Sequence, residues 1–140
     1  MDAVVTKSAP KPVGPYSQAM VEGALLFTSG QIAQDPDTGE VIEGDVRAQT
    51  HRVLENLAGV LRAAGSDLSR VLKTTVYLTD LADFSSMNAV FAEHFGLHRP
   101  ARTTVQVSAL PAGVAVEIDV IAAVGDPRPQ AEDALQTHTP

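Results

Sequence analysis

The fold of this chain is decided by residues 45–78, which read DVRAQTHRVLENLAGVLRAAGSDLSRVLKTTVYL. From Asp45 to Ala64 the apolar side chains recur at helical spacing, so this part predicts an amphipathic helix with one buried face. Gly65 follows at the position where helices commonly end in a left-handed residue. Residues 71–78 are rich in β-branched and aromatic side chains and therefore predict a strand.

Upstream of this helix the chain predicts three strands. A short β-prone run at residues 4–7 suits an edge strand. Residues 16–21 and 24–30 flank the turn signal Glu22-Gly23 and predict a hairpin. The dense cluster of turn residues at 35–39 indicates a surface loop before the helix.

Downstream, a second helix of about 13 residues is predicted after Thr79-Asp80, with Gly96 at its end. It is centred on the residues Phe84, Met87, Asn88, Phe91 and Phe95. Residues 102–108 and 114–120 alternate strictly and predict two strands, which the turn residues 110–113 would join as a hairpin. The predicted order is β-β-β-α-β-α-β-β. This is an α+β fold, with a mixed sheet and two helices on one of its faces. The other face needs a separate cover.

Strand alternation predicts which side chains share a face in the last hairpin. If residues 110–113 form its loop, Gln106 lies opposite Glu117. Arg102 and Asp119 then share the polar face with them, and the valine-rich face takes the helices. A face with one arginine and two carboxylates is either exposed to water or an assembly surface with polar pockets.

Composition narrows the class of protein. The 140 residues are 44% apolar, which suffices for one core, and we expect a single domain over residues 1–125. The acidic, proline-containing residues 126–140 predict a disordered tail. A formal net charge of −7 disfavours nucleic acid as a partner, because such proteins need basic patches. The lack of cysteine excludes disulfides and thiolate chemistry.

The sequence shows no clear motif for targeting, for membrane insertion or for binding a cofactor. No signal peptide and no apolar run near the roughly 18 residues of a membrane span are apparent, so a cytoplasmic protein without membrane contact is expected. His94 and His98 are four residues apart, but Gly96 lies between them and no carboxylate follows at a ligand spacing, so no metal is expected. Phosphate-cradle and nucleophile-turn motifs are missing from the sequence. The step Thr28-Ser29-Gly30 suits a close approach of the backbone to a ligand, because Gly30 permits an unusual φ and leaves its amide exposed. It equally suits an ordinary strand end.

Blocks along the chain resemble the successive signature blocks of the Rid (RidA, YjgF-like) family. They follow the family's order and spacing over about residues 3–124. The blocks are Gly14–Ala19, Phe27–Ile32, Asn88 within Met87–Phe91, Arg99–Thr103, Leu110–Gly113 and Val116–Ile118. The resemblance implies a chorismate-mutase-like fold assembled as a homotrimer, with the sheets in a central barrel and clefts between subunits.

The resemblance also implies a chemistry. Rid deaminases hydrolyse imines and enamines such as 2-aminoacrylate to a 2-oxo acid and ammonia, with no metal or cofactor. Arg102 matches the arginine that binds the substrate carboxylate, a task suited to a bidentate guanidinium. Glu117 matches the carboxylate that positions or activates the attacking water. Tyr16 matches a phenol that lines the cleft. The resemblance therefore implies three catalytic residues, which are Arg102, Glu117 and Tyr16.

The remaining residues of the implied substrate-binding wall are Ser29, Gly30, Asn88 and Thr104. Thr104 stands where many members carry a cysteine, at a position that contributes mainly main-chain contacts. Without the resemblance, Tyr16 suits core packing and Asn88 suits a helix surface.

Other functions stay open at this point. The chain could be a non-catalytic Rid homologue that binds small carboxylates or protein clients, although Arg102 with Glu117 argues against this. An RNA-cleaving translation inhibitor is disfavoured by the acidic balance and by the lack of a catalytic histidine pair. Within the deaminase chemistry, the sequence does not choose among imine substrates.

Overall fold

A computed structural model describes residues 1–125 and has the predicted order β-β-β-α-β-α-β-β. Its elements are β1 (Asp2–Val4), β2 (Ala19–Glu22), β3 (Leu25–Thr28), α1 (Val46–Ala63), β4 (Val71–Leu78), α2 (Phe84–Phe95), β5 (Ala101–Gln106) and β6 (Val116–Ala123). Within residues 1–125, no helix is long and apolar enough to cross a membrane. The predicted tail at 126–140 lies outside the described residues.

The start of α1 is capped by a side chain, and both helices are followed by the glycines that the sequence predicts. The side chain of Asp45 accepts a hydrogen bond from the amide of Ala48 and caps the start of α1. Gly65 follows α1 with a φ of 76°, and Gly96 follows α2 with a φ of 61°. Glycine takes these positive φ angles without the strain that a Cβ would bring.

The first strand is displaced from its predicted place. We expected residues 4–7, but β1 covers Asp2–Val4 and pairs antiparallel with β2. The chain leaves the sheet because the buried Gln18 side chain replaces a strand as its partner. Its Oε1 accepts from the amide of Thr6 (2.8 Å), and its Nε2 donates to the carbonyl oxygens of Thr6 and Pro10 (3.0 and 2.9 Å).

The six strands form one mixed sheet in the order β1-β2-β3-β6-β4-β5. The β2-β3 hairpin confirms the predicted turn at Glu22-Gly23. The predicted β5-β6 hairpin is wrong. β4 lies between these strands, antiparallel to β6 and parallel to β5.

The residues predicted as a hairpin loop instead belong to a connection across β4. Pro111–Gly113 form a short 3₁₀ turn, with positive φ at Ala112 and Gly113. This connection has to pass β4, because β4 lies between β5 and β6 in the sheet. The parallel β4-β5 pair needs a crossover of its own, and α2 is that crossover. The crossover places α2 beside α1, and the two helices pack against each other.

The changed pairing also corrects which side chains share a face. Arg102 lies beside Thr74, and Thr74 lies beside Val120, so these three residues point to one side. Thr74 and Val120 are buried beneath the helices. Glu117 lies an odd number of positions from Val120 and points to the opposite side. The expectation that Arg102 and Glu117 share one polar face is therefore wrong.

The two helices cover only one side of the sheet. Alternate residues of β6 are buried on this side: Val116, Ile118, Val120 and Ala122. On the other side, Phe27 and Val105 keep 44% and 38% of their surface exposed. A sheet with apolar side chains on both faces is suited to burial on both, so the second face is a candidate assembly surface.

Candidate functional site

Arg102 lies on β5 with its guanidinium against two aromatic rings of α2. Its Cζ is 4.7 Å from the ring centroid of Phe91 and 5.4 Å from that of Phe84. Both distances suit cation–π attraction. Burial lowers the pKa of Arg102, although a guanidinium remains charged at neutral pH. Among the residues described, no carboxylate forms a salt bridge with it.

The Arg102 side chain opens into a cavity of about 490 Å³. The cavity is lined by Asn88, Phe91, Ala92, Arg99, Pro100 and Arg102. The predicted partners Asn88 and Arg102 are thus brought together. Because the lining holds two cations, one amide and no acid, its electrostatics favour an anionic ligand with a small apolar body.

Glu117 lies on the opposite face of the sheet, on β6, directly beside Tyr77 of β4. Burial, and then the charge of Asp119, raise the pKa of Glu117. The Tyr77 hydroxyl donates to Oδ2 of Asp119 at 3.1 Å. Burial, followed by Asp119, raises the pKa of Tyr77 as well. This face thus concentrates negative charge that is only partly solvated, which shifts Glu117 toward its protonated form.

Gly30 is required by the position of the Glu117 carboxylate. A Cβ added at Gly30 would lie 2.5 Å from Oε2 of Glu117, closer than real Cβ atoms approach. Gly30 itself has no positive φ. The predicted reason for this glycine, an unusual φ, is therefore wrong. Its role is to let the backbone pass beneath a carboxylate.

A second cavity, of about 370 Å³, gathers Tyr16, Gly30 and Glu117. Tyr16 is 52% exposed, and its hydroxyl accepts from the amide of Val13 at 3.4 Å. Core packing is thus not the role of Tyr16. The phenol stands at the mouth of a cavity that also contains the Glu117 carboxylate.

Ser29 and Thr104 lie outside the two cavities, and Ser29 bonds to the main chain. The Ser29 hydroxyl donates to the carbonyl oxygen of Ser17 (2.6 Å), and its amide donates to that of Gln18 (3.0 Å), so it ties two loops together. Thr104 is half-buried on the Arg102 side of β5. Neither residue lines the two cavities.

The candidate residues therefore form two half-sites on one chain. One holds Arg102 and Asn88 on the helix side of the sheet. The other holds Tyr16, Gly30 and Glu117 on the opposite side. The aromatic wall of the first half-site was not predicted from the sequence, in which Phe84 and Phe91 only helped to place the second helix. Their spacing of seven residues, with Asn88 between them on the same helix stripe, was the available signal.

The histidine pair singled out in the sequence is not a pair. Because Gly96 ends α2, His94 and His98 point to different partners. His94 Nε2 lies 2.9 Å from His51 Nδ1, and His98 Nε2 lies 2.6 Å from the carbonyl oxygen of Val71. Within residues 1–125, no three acidic or histidine side chains are grouped for a metal ion.

Comparisons with known proteins identify the family of this chain. The family model described as endoribonuclease L-PSP matches residues 6–124. A RutC family protein of Pyrococcus horikoshii is 53% identical over 121 residues, which cover 86% of this chain and 96% of that protein. The chloroplastic Reactive Intermediate Deaminase A of Arabidopsis thaliana is 45% identical over 121 residues, 86% of this chain and 65% of the relative.

Solved structures share the same fold. Escherichia coli TdcF, crystallised with bound serine, has a TM-score of 0.85 and 41% identity, covering 89% of this chain and all of that one. Identity of this size over nearly the whole domain reflects common ancestry as well as a common fold. The chain is therefore a member of the Rid family, which the matching family model describes as endoribonuclease L-PSP.

Proposed function

We propose that this protein is a hydrolytic deaminase of small 2-imino and 2-enamino acids such as 2-aminoacrylate, yielding a 2-oxo acid and ammonia. The observation that carries the proposal is the half-buried Arg102 guanidinium, held against Phe84 and Phe91, without an acidic partner among residues 1–125. A desolvated cation of this kind gains most from a ligand that brings the missing carboxylate. The deaminase name of the Arabidopsis relative and the serine bound by TdcF support a small amino-acid-like substrate.

The reaction needs water, orientation and a proton acceptor. An enamine first tautomerises to the imine, whose carbon is electrophilic once the nitrogen is protonated. Water then adds to this carbon, and the carbinolamine collapses to the 2-oxo acid with loss of ammonia. Arg102 fixes the substrate carboxylate, which converts the addition of water into a positioned step.

Glu117 is the proposed water-positioning base. The raised pKa of its carboxyl brings it closer to neutral pH, where a general base works best. Tyr16 lies at the same cavity and supplies a hydroxyl to the substrate or water. In this proposal Ser29 supports the loop that carries Gly30, while Thr104 lies beside the carboxylate anchor.

The active unit is proposed to be a homotrimer with clefts between subunits. Since Arg102 and Glu117 of one chain face opposite sides of the sheet, one small substrate does not reach both. An Arg102 half-site from one subunit and a Glu117 half-site from its neighbour together make a complete site. Assembly also gives the uncovered sheet face, including Phe27 and Val105, a partner.

The direct test supplies 2-aminoacrylate in situ from serine with a serine or threonine dehydratase. Addition of the protein is expected to accelerate release of pyruvate and ammonia beyond the spontaneous rate. A carboxylate-binding protein without catalysis would bind pyruvate or 2-oxobutyrate in calorimetry and leave that rate unchanged. This outcome would replace the deaminase with the non-catalytic binder.

A further inference from the structure

The cavity that holds Arg102 contains a second guanidinium that the proposed chemistry does not use. Arg99 precedes β5, and its side chain lines the same cavity of about 490 Å³. A substrate with a single carboxylate is satisfied by Arg102 alone. The second cation is therefore surplus to the hydrolysis of a monocarboxylic imine.

Main-chain carbonyls hold Arg99 in place. Its Nη1 donates to the carbonyl oxygens of Gly96 and His98, the latter at 3.2 Å. These bonds anchor the side chain at the end of α2 and leave Nε and Nη2 as donors. In the described chain, Arg99 forms no salt bridge with an acidic residue.

The charge of the cavity is unusual for this chain. The whole sequence carries a formal charge of −7, yet the cavity lining carries two arginines and no acidic residue. Phe91, Ala92 and Pro100 supply the apolar wall between the polar groups. Two cations and a short apolar wall match a small ligand that carries an anionic group at each end.

We propose that Arg99 is a specificity residue that directs the site toward dicarboxylic 2-imino acids of four or five carbons. Arg102 binds the carboxylate next to the imine carbon, and Arg99 binds the distal carboxylate. The reaction is unchanged: one water adds to the imine carbon, and one ammonia leaves to give a 2-oxo dicarboxylic acid. This inference rests on the proposed deaminase function.

The test compares imines that differ in the distal carboxylate. L-Glutamate oxidase generates the imine of glutamate, and an L-amino-acid oxidase generates that of 2-aminobutyrate, with catalase present to remove peroxide. Hydrolysis is measured as the decrease in semicarbazone formed with added semicarbazide. Calorimetry measures binding of the product analogues 2-oxoglutarate and 2-oxobutyrate to the same proteins.

The variants are Arg99→Ala, Arg99→Lys and the control Arg62→Ala. Arg62 is an exposed arginine in the last turn of α1 and does not line the cavity, so its loss changes net charge alone. Loss of one charge-assisted contact is expected to lower kcat/KM for the glutamate imine, and affinity for 2-oxoglutarate, by about tenfold. Values for the aminobutyrate imine and 2-oxobutyrate should stay within about twofold. Arg99→Lys should retain part of the preference, and Arg62→Ala all of it.

The outcomes separate the two proposals. If the protein hydrolyses both imines and Arg99→Ala leaves their ratio unchanged, the specificity role is wrong while the deaminase stands. Equal losses on both substrates would show that Arg99 only supports the loop, which also overturns the inference. If the wild-type protein hydrolyses 2-aminoacrylate but neither of these imines, the specificity role is wrong while the deaminase stands. If it hydrolyses none of the three compounds, the deaminase proposal fails. The calorimetry then decides alone whether Arg99 selects a dicarboxylate.

Discussion

At the scale of single residues, the two proposed functional groups carry opposite charges and are both partly removed from water. Arg102 is a cation that has lost water to two phenyl rings, and Glu117 is a carboxylate that has lost water and faces Asp119. Burial removes part of the hydration of each group, and a bound carboxylate at Arg102 or a bound water at Glu117 would replace it.

Arg102→Ala is expected to reduce deamination at least ~100-fold, because the bidentate anchor for the substrate is lost. The fold should persist, since no internal salt bridge of the described chain is broken. Arg102→Lys should also fail, because an ammonium does not reproduce the planar fork. Turnover is measured beside circular dichroism melting. A folded Arg102→Ala protein with near-normal turnover would contradict the assignment.

Glu117→Gln is expected to bind 2-oxobutyrate normally but to turn over slowly, because the amide holds a water without accepting its proton. In the wild-type protein, activity should fall as pH falls through the raised pKa of Glu117, since the base becomes protonated. The variant should lack this acid limb. Calorimetry and a pH–rate profile test both statements. Much weaker binding by the variant would make Glu117 a binding residue instead.

Gly30→Ala is expected to destabilise the protein and lower activity, because the new Cβ collides with the Glu117 carboxylate. The clash should largely disappear when Glu117 is also replaced by alanine. A double-mutant cycle of unfolding free energies measures this coupling. Additive effects of the two substitutions would show that Gly30 is not required by Glu117.

At the scale of elements, α2 decides the site. It carries Phe84, Asn88 and Phe91 along one stripe and serves as the crossover that makes β5 parallel to β4. The same helix is joined to α1 through the 2.9 Å contact between His94 and His51. A movement of α2 would therefore alter both the helix packing and the aromatic wall beside Arg102.

The His94–His51 contact predicts a pH dependence of stability. Burial, followed by the neighbouring His51, lowers the pKa of His94 below its ordinary 6.5, with Glu55 and Glu93 acting in the opposite direction. The unfolded chain therefore takes up a proton first as pH falls. The contribution of His94 to stability is present above pH 6.5 and is lost as pH falls through the lower folded pKa.

Urea unfolding at several pH values between about 7.5 and 5 measures the loss of unfolding free energy. This range extends on the order of one unit to either side of an ordinary histidine pKa. His94→Gln should reduce the loss of unfolding free energy on the acid side, since the titrating group is gone. An unchanged slope in the variant would assign the acid sensitivity to other groups.

At the scale of the whole molecule, the sheet separates the proposed site into halves. The helix side contains the Arg102 cavity, and the other side contains the Glu117 cavity and an uncovered apolar surface. In the proposed trimer, a second subunit lies against this surface and brings the Arg102 half-site of one chain next to the Glu117 half-site of another. In this proposal one interface both buries the uncovered apolar sheet face and completes the site.

Mixing inactive Arg102→Ala and Glu117→Ala chains after reversible dissociation is expected to restore activity. In a cyclic trimer that shares its sites, equal mixing leaves about a quarter of the clefts with both residues intact. Turnover should therefore reach about a quarter of the wild-type value, with mass measurement confirming the hybrids. Hybrid trimers without activity would show that the two residues act within one chain.

Much of this molecule follows from its sequence because the signals are local. The periodicity of residues 45–64, the β-branched run at 71–78 and the turn at Glu22-Gly23 depend only on near neighbours in the chain, and the structure confirms all three elements. The blocks that resemble the Rid family are continuous stretches of sequence, and the matching family model confirms the family. The roles of Arg102 and Glu117 remain predictions.

The tertiary structure alone decided which strands are neighbours, and with this which residues share a face. Turn residues at 110–113 suggested a hairpin, but in the structure β4 lies between β5 and β6 and runs parallel to β5. Insertion of one strand moved Arg102 and Glu117 to opposite sides. Strand pairing is non-local, and its energy depends on what covers each face, so alternation within a strand does not specify it.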